Sequence, residues 1–168
     1  MSGFPKPEAR RRFIRVYIAV LAGILVWLGA VVAAPLLKNA GHPFFRRVYA
    51  CFAPVCHQNP ARSFLIGGSP LAVCARCFGI YAGFLAGMIA YPFLRGFDSI
   101  RPPGAVILIV LTFPLGIDGL ANFLGVWNTP DALRFVIGAA WGSVLPFFLL
   151  AGLGELALRK LAFPPLKK

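Results

Sequence analysis

Four apolar runs, residues 16–37, 70–91, 104–125 and 131–157, are each long enough to cross a hydrocarbon core of about 30 Å. A lipid interior offers no water to unpaired backbone groups, so such runs fold as helices whose N–H and C=O groups are satisfied within the segment. The expectation is an all-α membrane protein, a four-transmembrane-helix bundle forming one integral membrane domain over residues 1–168. A Cys/His-containing outer segment, residues 51–77, is inserted between the first and second helices. Hydrophobic residues make up 59% of the chain and charged ones only 13%, which excludes an ordinary soluble domain.

The first run follows a basic head with Lys6, Arg10, Arg11, Arg12 and Arg15. It exceeds the apolar stretch of about 7 to 15 residues typical of a signal peptide. Pro35, directly after the small residues Val32-Ala33-Ala34, would impede cleavage there, so the run is expected to remain as a spanning helix. The formal net charge of +12 sits mostly at the ends and in loops, as membrane anchoring requires, and does not form the stripe that nucleic-acid binding would need. The head, the Arg95 to Arg101 loop and the tail hold eleven Lys or Arg residues against six on the other side. Both termini are therefore expected in the cytoplasm of a prokaryotic cell, the protein being multi-pass in its inner or plasma membrane.

The outer segment opens with residues 42–52, where aromatics alternate with Arg46 and Arg47 in a pattern suited to a short interfacial helix. Ser69-Pro70 reads as an N-cap and first residue of the second spanning helix, which Pro92 should stop near Tyr91. Gly79, Gly83 and Gly87 recur every four positions on a face apart from Cys74 and Cys77, as a close helix contact would require. Gly138 and Gly142 supply a similar face on the last helix. In the third run Asp118 and Asn122 share a face, and a carboxylate in a membrane helix is a functional candidate by default. The bland alternative is interhelical hydrogen bonding that fixes packing. Arg134 has a bland option too, an i,i+3 pair with Asp131. Four spans place Asp118, Asn122 and Arg134 at the membrane level of the cysteines, which suggests one composite site.

Cys56-His57-Gln58, Pro60, Arg62-Ser63-Phe64 and Cys74-x-Arg76-Cys77-x-Gly79-Ile80-Tyr81-x-Gly83 resemble the signature of a family of small prokaryotic membrane proteins, domain of unknown function 2085. The resemblance extends to Pro114-Leu115-x-x-Asp118-Gly119 and to Arg134 with Gly138, covering most of the chain after the first helix. It implies a fold and a site but no activity. Cys51 lies outside the signature.

Two cysteines three apart on a helix form a usual half-site for a tetrahedral metal, and Cys56 with His57 supplies the other half. Zinc suits mixed thiolate and imidazole donors best, with iron or copper also accepted. Thiol–disulfide exchange through Cys74 and Cys77 competes, since Arg76 and a helix start favour thiolate. A plain structural staple is the third reading. For a catalytic metal, Asp118 is the candidate general base or proton carrier. Arg62, Arg76 and Arg134, with Asn122, are candidates to hold a lipid-linked or anionic small molecule. A transporter or accessory-subunit role would call for a homo-oligomer, for which the glycine faces offer surfaces. The sequence has no phosphate-binding glycine loop, G-x-S-x-G elbow or H-E-x-x-H, which disfavours nucleotide hydrolysis and zinc proteolysis.

Overall fold

A computed structural model describes residues 7–97 and 102–162. Lys6, Arg101, Lys167 and Lys168, counted above for orientation, lie outside the described residues. The elements in order are α1 (Pro7–Asn39), α2 (Phe45–Phe52), a 3₁₀ turn (Pro60–Arg62), β1 (Leu65–Ile66), β2 (Ser69–Pro70), α3 (Ala75–Leu94), α4 (Ala105–Phe123) and α5 (Asp131–Ala162). Four of these helices, α1, α3, α4 and α5, are long and apolar enough to cross a membrane. Large apolar side chains such as Val106, Ile109 and Phe113 on α4 stand 66–71% exposed, as a surface facing lipid would have them.

The third and fifth helices form the central pair, packed along their length. A methyl group added at Gly83 would lie 2.7 Å from the Cα of Ala139 and 2.8 Å from its carbonyl carbon. One at Gly142 would meet the backbone of Ile80 at the same range. The absence of side chains thus lets the two backbones touch, which is the packing role expected of these glycines. Helix α4 packs on α5, where Trp141 Nε1 donates to Thr112 Oγ1 at 2.8 Å. Helix α1 is joined near its amino-terminal end to α3, where Tyr17 donates its hydroxyl to the Met88 carbonyl at 2.8 Å beside Phe13, Tyr91 and Leu150. Toward its other end Val31 and Ala34 pack on Phe52 of α2 and on Leu71, Ala72 and Val73.

A short helix forms within the stretch expected to hold one, with the Arg46 and Arg47 guanidiniums lying 5.9 and 6.0 Å from the rings of Phe45 and Phe44. The start of the second spanning helix differs from expectation. Gly67 and Gly68 take φ of +56° and +80°, making a two-residue turn that pairs Leu65 with Pro70 and Ile66 with Ser69 in a small hairpin. Ser69 and Pro70 are therefore strand residues, and α3 begins only at Ala75 with Cys74 as its N-cap. Its far end also differs, because Pro92 sits within the last turn and the helix continues to Leu94. The Met88 carbonyl, which Pro92 leaves without a backbone donor, accepts from the Tyr17 hydroxyl at 2.8 Å instead.

Candidate metal centre

The hairpin and the loop before it deliver Cys56 to the start of α3. Asn39, the last residue of α1, donates from Nδ2 to the Ile66 carbonyl at 2.8 Å and accepts from Ser69 Oγ at 2.6 Å. The Tyr49 hydroxyl donates to the Pro70 carbonyl, and Gln58 Nε2 donates to the carbonyls of Tyr49 (2.7 Å) and Ala72 (2.8 Å). Gln58 is the one non-glycine among the described residues with positive φ, at +50°. That turn of the chain aims its backbone N–H at Cys56 Sγ, 3.5 Å away.

The Sγ atoms of Cys56, Cys74 and Cys77 all lie within 4.8 Å of one another. Three thiolates on a tetrahedral zinc with Zn–S of about 2.3 Å would stand about 3.8 Å apart, within that limit, so the donor set suits a soft divalent ion. The Cys74 N–H donates to Cys56 Sγ at 3.2 Å. Side-chain hydrogen bonds from Cys74 and then Cys77, with the backbone N–H groups of Cys74 and Gln58, hold the Cys56 thiol well below its ordinary pKa and outweigh the opposing effect of burial. His57 is exposed and is not among the converging donors, although it lines the same cavity. Cys51 is exposed on α2 beside Trp27 and Arg47, outside the cluster.

The cavity in front of the thiols has a volume of about 470 Å³. Cys56, Cys74 and Cys77 line it, and Arg62, Arg76, Arg134 and Asn122 reach it from the 3₁₀ turn, α3, α5 and α4. None of its described lining residues is a carboxylate. The sequence-expected site residues thus converge, with Asp118 placed behind Arg76. Asp118 is 4% exposed and both its oxygens are engaged. Oδ2 pairs with Arg76 Nη2, while Oδ1 accepts from the Thr129 hydroxyl and from Asn122 Nδ2 at 3.0 Å. Arg134, 3% exposed, donates to Asp131 Oδ1 (2.9 Å), Asn122 Oδ1 (2.8 Å) and Asn128 Oδ1 (2.8 Å). The i,i+3 pair is therefore present, and Arg134 ties α5 to α4 as well as bordering the cavity. Arg76 Nε is buried without a hydrogen-bond partner.

Sequence reasoning missed Gln58, Thr129 and Asn128 as members of this assembly. Gln58 stands inside the signature quoted above, which was a usable signal. Thr129 reads locally as a helix cap, and nothing local to the loop marks its hydroxyl as a partner of Asp118.

The family described as "Predicted membrane protein (DUF2085)" matches residues 56–148. An uncharacterized protein of Methanocaldococcus jannaschii is 36% identical over 150 residues, covering 86% of this chain and 96% of that protein. An uncharacterized protein of Methanothermobacter thermautotrophicus is 33% identical over 93 residues, covering 54% of this chain and 80% of that protein. No solved structure matches.

Proposed function

The chain belongs to the DUF2085 family of predicted membrane proteins, and from that premise we propose that it holds a zinc ion at the membrane interface on Cys56, Cys74 and Cys77 and binds an anionic ligand beside it. The observation that carries the reading is the convergence of three thiols on the wall of a cavity that also presents Arg62, Arg76 and Arg134 and no described carboxylate. Soft thiolate donors favour zinc, with iron or copper next. The backbone N–H groups of Cys74 and Gln58 offset thiolate charge before a metal arrives. Three protein donors leave a coordination position for a ligand on the cavity side, and His57 lines that side as an alternative fourth donor. With both oxygens engaged, Asp118 acts by positioning Arg76. Its role as an open base requires the Arg76 pair to separate first.

The positive-inside bias supports cytoplasmic termini and a centre on the outer face, which alkaline phosphatase fusions to the Val126–Asp131 and Arg95–Arg101 loops would check. The central experiment is elemental analysis of detergent-purified protein with free-thiol titration. About one zinc per chain is expected in wild type and in Cys51→Ser, and none in Cys74→Ser/Cys77→Ser. Metal-free wild type with a reducible Cys74–Cys77 bond would refute the metal centre. That result would favour thiol–disulfide exchange, which the N-cap position of Cys74 also suits.

A further inference from the structure

We infer that the anionic ligand is the phosphate head of a membrane lipid, whose hydrocarbon tail lies in the seam between α3 and α4. This rests on the anion-cavity reading above but is independent of the metal. The head cavity is walled by Arg76 and Cys77 of α3 and by Gly119, Asn122 and Phe123 of α4. A second hollow of about 450 Å³ lies toward the opposite end of the same three helices, between Ala86, Gly87, Ala90 and Leu94 of α3 and Ile107 of α4, with α5 as floor. The α3 face that carries Gly83 and Gly87 is closed by the backbone of α5, so a path between the two hollows runs along the side of α3 turned to α4. Cys77 and Ala90 stand roughly 20 Å apart along α3 at 1.5 Å per residue, the reach of a long acyl or isoprenoid tail.

The charge pattern matches an amphiphile. Three arginines gather at the thiol end, an unpartnered buried Arg76 Nε among them, against Arg95 alone in the second hollow. Guanidinium groups match phosphate oxygens bidentately. The second hollow is lined mostly by apolar groups. At the head cavity's edge Phe123 is 86% exposed and Val55 51% exposed, apolar groups placed where a lipid glycerol or first methylenes would pass. Because α4 packs mainly on α5, the α3/α4 side is the open side of the bundle, and a ligand can arrive from the bilayer.

The test uses full-length protein in maltoside micelles, with binding of dihexadecanoyl phosphatidic acid and of inorganic phosphate each read by displacement of a fluorescent short-chain phosphatidic acid. Zinc content and thermal unfolding are measured on the same samples. Wild type is expected to bind the lipid at least about tenfold more tightly than phosphate. Arg62→Gln should weaken both by about tenfold or more. Ala90→Trp, and Ala86→Trp at an exposed neighbouring position, should weaken the lipid about tenfold and leave phosphate unchanged. Equal affinity for lipid and phosphate, or lipid binding unmoved by both tryptophan variants in folded protein, would overturn the inference in favour of a soluble anion. Zinc-loaded protein that binds neither probe would overturn it and leave the metal centre standing. Lipid binding by metal-free protein would uphold it while removing the metal centre.

Discussion

Replacing Asp118 with Asn tests whether the carboxylate holds the site together or reacts in it. The side chain is 4% exposed, and the substitution removes the charge facing Arg76, whose side chain is 24% exposed. Deleting one partner of a fully buried pair costs about 3–5 kcal/mol, because the other charge is left unpaired. The partial exposure of Arg76 lets lipid headgroups or water reach it, which lowers the expected cost to about 2–3 kcal/mol. That corresponds to a fall of roughly 30- to 150-fold in the folding equilibrium. Removing both charges, as Asp118→Asn/Arg76→Gln, should recover about 1–2 kcal/mol of the summed single costs, since the pair is coupled. Reversible unfolding in mixed dodecyl sulfate and maltoside micelles measures all three variants. The thiols come from other positions, so Asp118→Asn should still retain about one zinc per chain. A single-variant cost below about 0.5 kcal/mol, or strict additivity in the double variant, would refute the positioning argument.

The glycine contact makes a sharper contrast. Gly83→Ala forces a methyl against the Ala139 backbone and should cost about 1–3 kcal/mol, whereas Gly23→Ala, with nothing within 4 Å, should be neutral or stabilise by up to about 1 kcal/mol on helix propensity. The same micellar unfolding assay compares them. Gln58→Leu removes both carbonyl partners of the loop that carries Cys56 and should lower zinc affinity about 10- to 100-fold, read by competition with a chromophoric chelator. The depressed pKa of Cys56 means its thiolate persists on acidification. In chelator-treated protein its alkylation rate should stay nearly level from about pH 8.5 to pH 6, over which an ordinary thiol slows about a hundredfold, with mass spectrometry locating the adduct. A slope like that of an ordinary thiol would refute the hydrogen-bonded thiolate.

The helix ends mark how far local reading reaches. Ser69-Pro70 carries a sound cap signature, yet Gly67-Gly68 just before it specifies a hairpin turn, and the hairpin wins because it also bonds to Asn39 across the chain. Pro92 is a stop signal in isolation, but the Met88 carbonyl it leaves without a backbone donor is taken by the Tyr17 hydroxyl, so α3 runs past it. Likewise Cys56 and Cys74–Cys77 were legible as two half-sites from their spacing, while the choice of Cys56 over its neighbour His57 as the converging donor was not. Adjacent residues point in different directions, and the left-handed turn at Gln58 that decides between them follows from contacts with Tyr49 and Ala72.

By itself the sequence determined the four apolar helices, the short helix before the cysteine loop, the glycine faces and the residue types of the site, because hydropathy, periodicity and motif spacing are properties of consecutive residues. Only the tertiary structure decided that Asp118 belongs to Arg76 and Thr129, that Arg134 ties α5 to α4, and that three thiols and three arginines share one cavity. Those pairings depend on how α3, α4 and α5 cross: glycine contacts between distant backbones set α3 on α5, and side-chain bonds such as Arg134 to Asn122 and Trp141 to Thr112 set α4 on α5.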